Sequence, residues 1–129
     1  MKKFSVWIFT LIPLAAALAL AADLIPKHGF DLSWSPRARF HGTWASAKLL
    51  ALGIVVALIA QNALKKEKRW AWWAMVTYVV IGMGGMIPAI LWHGEGPPAG
   101  PLVMIGTMVT LMVVALMGSA KTVFSSNVE

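Results

Sequence analysis

The residues able to do chemistry in this chain fall into two small sets. The first holds three histidines, His28, His41 and His93, and three carboxylates, Asp23, Asp31 and Glu95. A histidine beside a carboxylate can move a proton near neutral pH. His41, His93, Glu95 and Asp23 are therefore the acid/base candidates. The second set is cationic. Arg37, His41, Trp44 and Lys48 stand at i, i+4, i+7 and i+11, so they share one face of a helix. Arg37, Arg39 and Lys48 suit an anionic head group, while Trp44, Trp92, Met104 and Met108 offer apolar surface to the rest of such a ligand.

Other chemistries are poorly represented. There is no cysteine, which excludes disulfides, thiolate metal sites and a cysteine nucleophile. Imidazole and carboxylate can ligate divalent metals, but the spacing of His41, His93 and Glu95 carries no ligand signature, and no metal is expected. No phosphate loop, HExxH or serine triad order is present, and no cofactor is expected. Met104, Met108 and Met112 lie along one helical face. Thioethers can hold Cu(I), but methionine more often fills irregular packing, and that is the reading adopted.

The elements that must position these residues are membrane helices. Apolar residues make up 59% of the 129 and charged ones 12%, against about 25% charged in a typical soluble domain. Four apolar runs cover residues 4–22, 42–64, 70–92 and 101–120, with Lys48 the one charged residue inside them. A spanning helix needs about 20 residues. In lipid the backbone must satisfy itself, which selects helices. Ser35-Pro36 is a helix start, a capping hydroxyl before a proline. The predicted helices are therefore about 4–22, 36–64, 70–92 and 101–120, in a single membrane domain over 1–129. Pro13 and Pro88 should kink the first and third. Residues 23–35 form an outer loop, with Phe30-Asp31-Leu32-Ser33-Trp34 lying on the membrane surface. The opening Met1-Lys2-Lys3, apolar stretch and Ala19-Leu20-Ala21 also fit a secretory signal. The length of the run and Pro13 favour a retained span.

Orientation follows from Lys and Arg in the short loops. Lys2, Lys3, Lys65, Lys66, Lys68, Arg69 and Lys121 fall on one side, and Lys27, Arg37 and Arg39 on the other. Both termini should be cytoplasmic. The net charge of +6 is thus a topology signal, not a nucleic-acid footprint. Trp7, Trp70, Trp72 and Trp73 mark the inner boundary, and Trp34, Trp44 and Trp92 the outer one. All three histidines then share the outer mouth with Asp23, Asp31 and Glu95. Lys48 sits below that mouth. It is expected to face the interior and pair with Asp23 or Glu95, with snorkelling to the interface as the alternative.

Arg37-Ala38-Arg39-Phe40-His41, opening the second of four helices, resembles the basic segment of the membrane-associated eicosanoid and glutathione metabolism family. The resemblance covers those residues alone. The Asn and Glu which that family carries after its basic positions are replaced by Trp44 and Ala47 or their neighbours. The family's basic loop also faces the cytosol, opposite to the topology read here. Four spans with histidines and carboxylates at one mouth are also similar in plan to sterol-isomerase-like proteins, without their motif positions in order. Neither resemblance transfers a function.

The sequence thus describes an all-α integral membrane protein, a four-transmembrane-helix bundle with both termini cytoplasmic, multi-pass in a cell inner membrane. Its expected role is to bind a lipid-like or hydrophobic ligand, or to act as an accessory membrane subunit. The outer His/Asp/Glu/Lys/Arg mouth would sit over an apolar Met-lined interior. The alternatives are a small membrane enzyme doing acid/base chemistry on a lipid-like substrate, and an oligomeric transporter or channel. Expected partners are a membrane lipid or hydrophobic small molecule, and further copies of the chain or a larger membrane complex. Nucleic acid is not among them.

Overall fold

The computed structural model describes residues 2–94 and 99–125, and only the backbone of Lys2, Leu24, His28, Met86, Ala89 and His93. Among the described residues the chain is helical throughout, with no strand. Helix α1, Lys2–Leu24, widens into a π-helical stretch at Ile25–Gly29. Helix α2, Pro36–Ile59, does the same at Ala60–Leu64. Helix α3, Arg69–Thr77, continues as a π-helical stretch over Tyr78–Met83. Helices α4, Met86–His93, and α5, Ala99–Ser125, complete the order. Lys3–Lys27, Pro36–Leu64 and Ala99–Ser125 are long and apolar enough to cross a membrane. This is an all-helical membrane protein.

Helix ends follow local chemistry. Ser35 caps α2, its Oγ accepting from the Ala38 N–H at 3.2 Å, with Pro36 opening the first turn. The expected surface segment before it is a tight turn. The Ser33 N–H donates to Asp31 Oδ1 at 2.9 Å, leaving Phe30 and Leu32 among the most exposed side chains. At the other end of α2, Glu67 takes a left-handed φ of 57°. The Lys68 N–H then reaches the Ala63 carbonyl and the Glu67 N–H the Leu64 carbonyl. That pair of bonds terminates a helix in the pattern usually closed by glycine. The helix begun at Lys2 continues past its apolar core through the π-helical stretch to Gly29, and α5 extends to Ser125.

The third apolar run departs from its predicted form. A continuous helix over 70–92 with a kink at Pro88 was the expectation; the chain instead breaks at Gly84-Gly85. Proline has no N–H and its ring crowds the carbonyl four residues back, which here is Gly84. That carbonyl accepts from the Ile87 N–H instead, at 3.0 Å. Pro88 thus sits in the first turn of a new helix, where its missing donor costs nothing. The described structure therefore contains three continuous membrane-length helices and one interrupted segment.

Packing is concentrated at the end that holds the α2–α3 turn. Phe9 of α1, Val56, Ala60 and Leu64 of α2, Ala71 and Met75 of α3, and Met112, Ala115 and Val123 of α5 form one buried cluster there. Hydrogen bonds tie the same end. Ser5 Oγ donates to the Ala115 carbonyl at 2.7 Å, Gln61 Nε2 to Thr10 Oγ1 at 2.8 Å, and Trp72 Nε1 to the Leu116 carbonyl at 3.1 Å. Each such bond between helices in lipid contributes about 0.6–2 kcal/mol. At the opposite, loop end, burial is sparse. Ser46 of α2 is enclosed there, while no described side chain of α4 is buried.

Helices α1 and α2 approach each other closely at Gly53. A Cβ there would stand 2.8 Å from the Pro13 carbonyl oxygen and 3.0 Å from Ala17 Cβ. Gly53→Ala is therefore expected to lower thermal stability in detergent, by about 1–3 kcal/mol from overpacking. Gly106→Ala on α5, where nothing lies within 4 Å of the added carbon, is expected to be neutral or stabilising by up to about 1 kcal/mol. Circular-dichroism melts of both variants check the pair.

Candidate functional site

The cationic stripe of α2 forms on one helical face, and that face points away from the bundle. Arg37, His41, Trp44 and Lys48 are all exposed. Within it the rings are ordered. Phe40 stacks on Trp44 with centroids 5.9 Å apart, and meets His41 edge-on at 5.5 Å. Lys48 Nζ lies 3.2 Å from the Trp44 ring centroid. Long helical side chains lean toward the helix N-terminus, so the amine is carried one turn back toward the loop end.

Lys48 does not take the expected interior placement: its side chain is exposed and turned outward onto Trp44. The anionic partner expected for the inward placement is otherwise engaged. Asp23 pairs with Lys27 one turn along its own helix, both exposed. Glu95, the other expected partner and an acid/base candidate, lies outside the described residues. The indole face supplies what a carboxylate would have: an attraction of about 0.5–2 kcal/mol, larger as water is excluded. A cation on a long apolar stem can also reach the interface without crossing the core.

The remaining candidates are dispersed. No hydrogen bond joins His41 to Asp23 among the described residues. His93 ends α4, where only its backbone is described, and Trp92 beside it is 86% exposed. Met104 of α5 is exposed, Met108 is partly buried against the core, and Met112 is fully buried within it. The methionine face thus starts at the surface and ends as packing. Among the described residues, no three of His, Asp and Glu stand close enough to share a metal ion.

Arg39 differs from its neighbours. It is half-buried, and its Nε is closed off from solvent with no acceptor in reach. Buried donors are nearly always bonded, so this atom marks a place where an acceptor would be stabilising.

The tryptophans divide between anchoring and packing. Trp70 and Trp73 are exposed at the α2–α3 turn, as boundary anchors would be. Trp72 turns inward, bonds the Leu116 carbonyl and packs edge-on against Phe124 at 5.2 Å. Arg69 caps that aromatic group, 5.5 Å from the Phe124 ring.

The sequence reading missed a cleft at the opposite end, lined by Lys3, Val6, Trp7, Gln61 and Lys65. The signal was present: two basic residues, a tryptophan and an amide at the ends of consecutive helices. Lys3 and Lys65 count toward topology and Trp7 toward the membrane boundary, and nothing in their sequence positions places them beside Gln61. In comparisons with protein-family models, with curated proteins and with solved structures, nothing matches this chain.

Lys48→Met is expected to change stability by less than about 1 kcal/mol, since an exposed cation–ring contact is all that it removes. Loss of one partner from a buried ion pair would cost about 3–5 kcal/mol. Thermal or denaturant unfolding in detergent separates the two values.

Proposed function

We propose that this chain is a four-span protein of a cell inner membrane, with both termini cytoplasmic. It binds a lipid-like or hydrophobic ligand at its outer, loop end, or presents that end to a larger membrane complex as an accessory subunit. The observation that carries the reading is the outward cation–aromatic stripe of α2, Arg37, His41, Trp44 and Lys48. Cations flanking an indole at the membrane boundary suit an amphiphile with an anionic head and an apolar tail. The sequestered Arg39 Nε adds a donor that lacks an acceptor. Met104 and Trp92 offer exposed apolar surface at the same end. The interrupted segment Arg69–His93 supplies the remaining span, its break bridged by local backbone bonds, with the Gly84 N–H donating to the Val79 carbonyl and the Gly85 N–H to the Ile81 carbonyl.

Topology is tested by labelling. The chain has no native cysteine, so Ser126→Cys gives a single reporter. An impermeant maleimide added outside intact cells is expected to leave it unlabelled until the membrane is opened. Efficient labelling from outside would reverse the orientation and move the stripe to the inner face.

Ligand binding is tested by substitution. Arg37→Gln with Arg39→Gln is expected to weaken retention of an anionic amphiphile about thirtyfold, from the loss of about 1 kcal/mol of attraction for each of the two cations near the surface. His41→Gln is expected to change it modestly. Isothermal titration with a short-chain anionic lipid reads both. Abolished turnover of a lipid-like substrate in His41→Gln, at unchanged affinity, would instead favour acid/base catalysis.

A further inference from the structure

At the turn end, the start of α1 and the last turns of α2 enclose a cleft of about 530 Å³ lined by Lys3, Val6, Trp7, Gln61 and Lys65. Its two cations come from different helices, and both are exposed at the rim. Val6 is buried and the Trp7 indole is 56% exposed, so one wall is apolar. Gln61 is fixed from below. Its Nε2 donates to Thr10 Oγ1 at 2.8 Å, and the Thr10 hydroxyl donates to the Val6 carbonyl at 2.7 Å. A primary amide has two N–H donors, so Gln61 offers its second from a set position.

The cleft lies where Lys3–Lys27 and Pro36–Leu64 both reach their ends. It therefore straddles the boundary between hydrocarbon and water. Lys66, Lys68 and Arg69 follow on the adjoining turn, with Glu67 the one acidic residue among them. The local field favours an anion. A free phosphate would satisfy the cations and the amide but leave the Val6 and Trp7 wall unused.

We propose that this cleft binds the phosphate-bearing head group of an anionic phospholipid. Lys3 and Lys65 supply charge, Gln61 a positioned N–H, and Trp7 and Val6 a wall for the upper acyl chain. The site is separate from the loop-end stripe and holds whichever way the chain is oriented, because anionic lipid is available at either surface of a bilayer.

The test uses the full chain, released from vesicles of phosphatidylglycerol mixed with phosphatidylcholine and weighed by native mass spectrometry. Wild type is expected to retain phosphatidylglycerol about tenfold in preference. In a background that already carries R37Q/R39Q, so that the loop-end stripe contributes nothing, a preference should persist and K3Q/K65Q should abolish it. K66Q/K68Q in the same background, which removes the same charge from the same end, should keep it. Inorganic phosphate should not displace the lipid. Equal loss in K3Q/K65Q and K66Q/K68Q would reduce the effect to diffuse surface charge and overturn the site. Displacement by inorganic phosphate would overturn the lipid assignment in favour of a free-anion site. Gln61→Leu gives a second reading that alters no charge: a severalfold loss of preference is expected, and wild-type behaviour would overturn the role of the amide. Circular dichroism in phosphatidylcholine confirms that each variant is folded. Should K3Q/K65Q not fold, the single variants K3Q and K65Q are read by the same criteria.

Discussion

Two helix backbones approach each other at Gly53, and much of the architecture depends on that contact. The Pro13 carbonyl occupies the space where a side chain on Gly53 would stand. In lipid there is little hydrophobic force between helices, so close approach and hydrogen bonds must hold them. Gly53, Ala17 and Ala57 supply the close approach between α1 and α2. Gln61 to Thr10, one to two turns further along, supplies the bond. With α1 and α2 joined in this way, Ser5 faces the Ala115 carbonyl and brings α5 against α1. Trp72 then bonds α5 to α3.

The consequence is a molecule with unlike ends. The end with the α2–α3 turn is closed by the buried cluster, by three hydrogen bonds between helices and by the Trp72–Phe124 contact. The loop end has few buried side chains, and its polar residues are arranged on surfaces instead of around a shared interior. This difference bears directly on function. Acid/base chemistry requires groups held in fixed relation to one substrate position. Here Asp23 is bound to Lys27 and His41 to an aromatic edge, in separate environments. Recognition of an amphiphile asks less: cations and indoles at the right depth, with apolar surface below. Both the α2 stripe and the Lys3–Lys65 cleft have that composition.

The placement of Lys48 shows how a membrane chain resolves a costly charge. A cation inside a span costs about 2.5–3.5 kcal/mol at the helix centre and less toward an end. Burying it beside a carboxylate recovers that cost only with good geometry. Trp44 stands one turn toward the boundary, and Lys48 lies on its ring at 3.2 Å. The direction in which a helical side chain leans makes this partner available without any rearrangement of neighbouring helices.

Much of the fold was legible in the sequence because it rests on local rules. Apolar runs of about 20 residues specify helices in lipid, and Ser35-Pro36 specifies where α2 begins. The i, i+4, i+7, i+11 spacing put Arg37, His41, Trp44 and Lys48 on one face, as a helix must. What the spacing leaves open is which way that face turns. That depends on which other face is consumed in packing, and Gly53, Val56, Ala57 and Ala60 consume it. The break at Gly84-Gly85 was half legible: Pro88 announced a disruption, but its position depended on which carbonyl lost its donor. The cleft between Lys3 and Lys65 was not legible as a cleft, since it is made by two helix ends some sixty residues apart in sequence coming together. Sequence by itself determined where the apolar helical runs lie, the Ser35-Pro36 start of α2 and the face that carries its charge, because each follows from residues within a few turns. Only the tertiary structure decided which faces are covered and which pockets remain, because those depend on the separation and rotation of whole helices, set by contacts such as Gly53 against Pro13.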